Sequence, residues 1–183
     1  MNTDFLNSFE NRVQDELLRL CTSCNMLNGQ LLATEDIDNR WHELAPEYMA
    51  DAVPEIAHYP TVSVAWAAYL GMAVAQGWDA DWETARQALY TSYYGSQGFD
   101  DMDEHIVQQV LGLLPDGYEA RNLETAIRRC AETAVTLIRR EQIAPQSPMA
   151  FHVFARTCKV MFRLGAAMQL KRLGYKFEKM QIR

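Results

Sequence analysis

At 183 residues, 49% of them apolar, the chain is long enough for one domain whose core needs neither metal nor disulfide to hold it. Four cysteines are too few for a disulfide framework, and a net charge of −7 argues against a nucleic-acid binder, which is ordinarily basic. That charge is segregated: residues 1–120 carry twenty acids against Arg12, Arg19, Arg40 and Arg86, whereas residues 121–183 carry thirteen Lys and Arg against Glu124, Glu132, Glu141 and Glu178.

Apolar spacing is helical throughout, with no alternating run long enough for a strand. Phe5, Phe9, Val13, Leu17, Leu20, Cys24 and Leu27 step by threes and fours and predict a first helix over 4–28, stopped by Asn28-Gly29. Pro46 and Pro54 interrupt the next stretch, 35–58, which reads as a kinked helix or two short ones. A third helix, 61–76, carries no charge, and Ala67, Gly71 and Ala75 form a smooth stripe along it. The uncharged run Pro60 to Trp78 has the length of a membrane span. It is nevertheless rich in Ala, Gly, Ser and Thr and has no basic flank, so it reads as a buried central helix.

Asp79 or Asp81 is the expected cap of a fourth helix, 82–94, ended by Gly95-Ser96-Gln97-Gly98. Asp101 with Glu104 three residues on resembles a capping box for a fifth, which stops before Pro115-Asp116-Gly117. The sixth, 118–141, has the cleanest period, with Ala120, Leu123, Ile127, Cys130, Ala134 and Leu137 on one seam. Ser147-Pro148 starts the seventh and Gly174 ends it, with Phe151, Phe154, Cys158, Met161, Gly165 and Met168 as its core stripe. The fold class is therefore all-α: a single domain spanning 1–183, an irregular antiparallel bundle of about seven helices centred on the third and seventh, with 175–183 as a flexible basic tail.

Candidate chemistry is sparse. Glu55-x-x-His58 is metal-like, but a two-metal bundle needs a second such pair and none is present, so no metal is assigned. Cys21-x-x-Cys24 falls mid-helix, and Cys130 and Cys158 lie on apolar seams. All four read as reduced, mostly buried packing residues. No glycine-rich phosphate loop follows a strand, no nucleophile has a catalytic context, and no cofactor is implied.

Eight aromatics fall between Trp66 and Phe99. From them Trp66, Tyr69, Tyr93 and Tyr94, together with Arg163, are the candidate ligand-binding residues: an aromatic-lined pocket with one cation for a small anionic ligand. Arg163 interrupts the all-round apolar stretch Val160 to Leu170, so it is expected at least half buried and bonded to an acid from the first 120 residues.

The leading expectation is a non-catalytic interaction or scaffold protein that self-associates through its acidic and basic surfaces, or binds an unidentified protein partner. The alternative is a helical protein that binds a small molecule or metal. The opening Met1-Asn2-Thr3-Asp4-Phe5 lacks the basic start and apolar run of a secretory signal, and few cysteines suit a reducing compartment, so a cytoplasmic location is expected.

Overall fold

The structure, a computed structural model, describes residues 2–176. They are 74% helical with no strand among them. The six α-helices are α1 (Thr3–Ser23), α2 (Glu35–Glu55), α3 (Pro60–Ala85), α4 (Met102–His105), α5 (Tyr118–Arg140) and α6 (Pro148–Arg172). A 3₁₀ turn, Tyr90–Tyr93, precedes α4, and a π-helical turn, Ile106–Val110, follows it. The count is one below the expected seven because the predicted fourth helix does not form as a separate element.

The centre is the α3/α6 pair, as the uncharged stretch predicts. Val64, Ala67, Leu70, Met72 and Ala75 of α3 and Cys158, Phe162, Leu164, Ala167 and Leu170 of α6 are fully buried. Two glycines set how closely the helices approach. A Cβ built on Gly71 would lie 2.0 Å from the Phe162 carbonyl oxygen, and one on Gly165 only 1.9 Å from that of Ala68. No other residue fits either position without parting the helices.

Cross-helix contacts give the directions. The Cys158 thiol lies 3.8 Å from the Ser63 carbonyl and Gln169 Nε2 donates to Gln76 Oε1 at 2.8 Å, so α3 and α6 run parallel. Asn7 and Glu10 meet Arg156, and Gln14 meets Arg163, so α1 runs with them. Tyr48 reaches Ser63 while Asp36 reaches Trp78, which sets α2 antiparallel to α3. Arg172 reaches Glu119, which sets α5 antiparallel to α6. Helices consecutive in the bundle are thus antiparallel, and α1, α3 and α6 point the same way. Both α2 and α5 pack on the central pair, while α1 covers α5 and α6.

Local chemistry moves several expected boundaries. α1 ends at Ser23, before Asn28-Gly29, because Asn25 takes a left-handed turn with φ of 64°. Its N–H donates to Thr22 at 3.2 Å and that of Met26 to Cys21 at 2.9 Å, which is a Schellman ending with Asn in the glycine place. α2 continues through Pro46 and Pro54, which are exposed, as are His42 and Ala50 four residues before them, so water can satisfy the carbonyls that lose a donor. α3 runs past the expected stop at Gly77 to a kink at Asp81, which caps the turn after it: its carboxylate accepts from the Thr84 N–H at 3.4 Å and from the Thr84 hydroxyl at 2.8 Å. The chain then leaves the helix at Ala85 and forms only the turn Tyr90–Tyr93.

Asp101 does not close a capping box. Its carboxylate turns back to accept from Gln97 N at 3.0 Å and from the Ser96 hydroxyl at 3.0 Å, fastening the Gly95-to-Gly98 turn. α6 starts and ends as predicted, with Ser147 capping Ala150 N at 3.1 Å and Gly174 at φ of 94°. Phe151, placed on the core stripe, is instead exposed. Tyr175, expected to begin a flexible tail, packs on Trp78 with ring centroids 5.4 Å apart and donates to Asp79 at 2.8 Å. The rest of that expected tail, 177–183, lies outside the described residues.

Candidate interaction surface

The two basic helices use their arginines differently. On α6, Arg156, Lys159 and Arg163 form one stripe, and all three converge on the Glu10 carboxylate of α1 at 3.2, 3.4 and 3.5 Å. Glu10 is only 12% exposed, and each cation is about one quarter exposed. Arg163 also reaches Gln14 at 3.2 Å and Asp38 of α2 at 3.8 Å, so it is more than half buried and bonded to acids of the N-terminal region, as expected. Burial pushes the Asp38 carboxyl above its ordinary range, while Arg163, Lys159 and His42 act against that shift. Farther along α6, Lys171 donates to the Asn25 carbonyl at 2.7 Å and Arg172 pairs with Glu119 at 2.6 Å. The basic end of the chain closes on the acidic end here.

The cations of α5 face outward. Its apolar seam, Leu123, Ile127, Cys130, Ala131 and Ala134, is buried against the bundle, so a 3.6-residue repeat turns Arg121, Arg128, Arg129, Arg139 and Arg140 to solvent. Arg121, Arg128 and Arg139 stand nearly in line. Glu124 and Glu132 share the exposed side, and none of the five arginines makes an ion pair with a described carboxylate. The outer face of α2 is the opposite: Glu35, Asp36, Glu43 and Glu47 are exposed, and the one base that meets them is Arg40, which reaches Glu43 from the buried side at 2.7 Å. Both α2 and α5 pack on the central pair, and none of the five α5 arginines pairs with an α2 carboxylate within the described fold.

The five sequence-predicted ligand residues fall into four places. Trp66 donates to the Phe99 carbonyl at 2.8 Å and packs edge-on to Tyr69, ring centroids 5.6 Å apart. Burial, with Asp103 and Glu124 nearby, pushes the Tyr69 phenol up. Tyr94 donates to Asp51 of α2 at 2.5 Å, and Tyr90 donates to the same oxygen at 2.8 Å. Burial and that carboxylate hold the Tyr94 phenol at about 12. Tyr93 is buried, and the Arg40 guanidinium opposes the rise that burial imposes on its phenol. Arg163 belongs to the Glu10 cluster. Surface depressions at Glu16/Arg140, Leu27/Lys171 and Asp15/Gly29 include none of the five.

Glu55 ends α2 and His58 lies in the turn beyond, so the two do not share a regular helix face. No group of three or more His, Cys, Asp or Glu among the described residues is placed to hold a metal, and no described helix is long and apolar enough to cross a membrane.

Sequence reasoning missed three charged residues that matter. Arg40 is 7% exposed, donates to Glu43 at 2.7 Å and to the Ala88 carbonyl, and leaves its Nε without a partner. It ties the 86–89 segment to α2, and its spacing, three residues after Ile37 and four before Leu44 on the buried side, was the available signal. Asp51 gathers Tyr90 and Tyr94 from a segment whose spacing reads as helix but which forms only a short turn. The Asp103 carboxyl is raised to about 6, first by burial, with Glu104 and Glu124 adding to it. No family model, no curated protein and no solved structure matches this chain.

Proposed function

We propose that this chain is a non-catalytic interaction protein that docks through the arginine face of α5 onto a carboxylate-rich surface, the α2 face of a second copy being the partner it fits. One observation carries the reading: five exposed arginines on α5 make no ion pair with a described carboxylate, while the cations of α6 are consumed inside the fold. No arginine of the α5 face meets an α2 carboxylate within the described fold, so the two surfaces are left to complement each other between molecules. Such a contact is head-to-tail and either closes into a ring or continues as a filament.

The test is mass against ionic strength, by sedimentation velocity. At low salt the mass rises with protein concentration, and high salt returns it to the monomer, because contacts between exposed charges are screened within about 8–10 Å at physiological salt. An Arg128→Glu, Arg139→Glu double variant stays monomeric at low salt. Mixing it with a Glu35→Lys, Glu47→Lys variant, which leaves the Arg40–Glu43 pair intact, restores a complex between the two variants. A monomeric wild type at every ionic strength, with no loss on charge reversal, would overturn self-association.

A further inference from the structure

The Sγ atoms of Cys21 on α1 and Cys130 on α5 are 3.4 Å apart in the core, although 109 residues separate them in the chain. Both side chains are buried and both are free thiols. From the geometry we infer that Cys21 and Cys130 form a modification site, an oxidisable pair whose disulfide clamps α1 to α5.

The sulfurs are already in van der Waals contact, and a bond needs them to close by a little over 1 Å, to about 2.05 Å, which two χ1 adjustments can share. Access is the harder requirement. Cys21 sits in the last turn of α1, which ends at Ser23, and the half-buried Cys24 occupies the C-cap with its thiol 3.5 Å from the Cys21 carbonyl. Terminal helical turns open at low cost, and a small oxidant enters as this one opens.

The oxidant is a hydroperoxide, of which hydrogen peroxide is the simplest. One sulfur, as thiolate, attacks the peroxide O–O bond and becomes a sulfenic acid, and the leaving hydroxide takes up a proton to become water. The second sulfur then displaces the sulfenic hydroxyl as water. Two thiols give up two electrons and two protons, and one peroxide becomes two waters. The hydrogen bond between the two thiols and their burial push the Cys21 thiol well up, so thiolate forms only in the opened state and the reaction is slow beside that of an exposed cysteine. Cys158 is fully buried against Ser63 and takes no part.

Treatment of the folded wild-type protein with hydrogen peroxide, followed by alkylation in denaturant and non-reducing peptide mapping, tests the inference. The expected product has lost about 2 Da and two alkylatable thiols, carries a peptide joining Cys21 to Cys130, and reverts with dithiothreitol. Its thermal midpoint lies above that of the reduced protein, because the link spans a long loop. The joined peptide persists in Cys24→Ala and is absent from Cys21→Ser. Both thiols remaining alkylatable after peroxide, whether or not Cys24 oxidises, would overturn the inference. So would a link that instead joins Cys24 to Cys21.

Discussion

Glu10 is worth more to this fold than any one of the cations that meet on it. Arg163→Ala removes one of three positive charges and leaves Arg156 and Lys159 on the carboxylate, so the expected loss is about 1 kcal/mol, well under the ~3 kcal/mol of an isolated buried pair. Glu10→Gln leaves three partly buried cations facing one another, and about 3 kcal/mol is expected. Chemical denaturation of the two variants checks the ordering, and equal losses would refute it. Asp103 acts in the opposite sense. Its carboxyl is raised in the fold to about 6 from 3.8, so the folded state holds its proton longer than the unfolded chain does. Stability from this group is full below pH 4, falls as pH rises to about 6, and is flat above that. Because the side chain is partly exposed, Asp103→Asn is expected to add only about 1 kcal/mol at pH 7 and nothing at pH 3, measured by urea titration at both. Arg163 was legible as an interruption in an apolar helix. The convergence on Glu10 was not, because Glu10, one residue from a core phenylalanine, gives no sign in sequence of which helix covers it.

Among the elements, α3 and α6 depend on two absent side chains. In Gly71→Ala or Gly165→Ala, overpacking against a carbonyl costs about 3 kcal/mol and the better helix propensity of alanine returns about 1, so each should destabilise by about 2 kcal/mol. Both changes are relieved by the same separation of the helices, so the double variant should lose less than the sum, and a strictly additive result would contradict a shared contact. The small-residue stripe and the uncharged composition made this pair readable from sequence alone. Helix ends were less so. Gly174 announces its left-handed turn, whereas Asn25 and Gln142 take the same turn at φ of 64° and 52° without a glycine to mark it. The predicted fourth helix failed because Asp81 caps a short continuation of α3, after which Arg40 holds the Ala88 carbonyl and Asp51 holds Tyr90 and Tyr94. Those are tertiary ties, and they override local spacing.

For the whole molecule, order should fall away from the central pair. Amide exchange in 64–75 and 160–170 is expected only on global unfolding, whereas 86–101 and the last turn of α1 should exchange through local opening. Exchange followed by mass spectrometry checks this, and equal protection throughout would contradict it. The charge dipole was visible in sequence at this scale. Its division between a helix that spends its cations inside and one that presents them was not, since that depends on which face of each helix is buried. The parallel pairing of α3 with α6 has a further consequence, for biosynthesis. The two central helices are separated in the chain by α4, α5 and their turns, and α6 is made last of the described helices. A nascent chain that has emerged as far as α5 therefore holds its most apolar helix without the surface that covers it. Productive folding waits for α6, so pauses in translation before Ser147 prolong a state open to chaperone capture or aggregation.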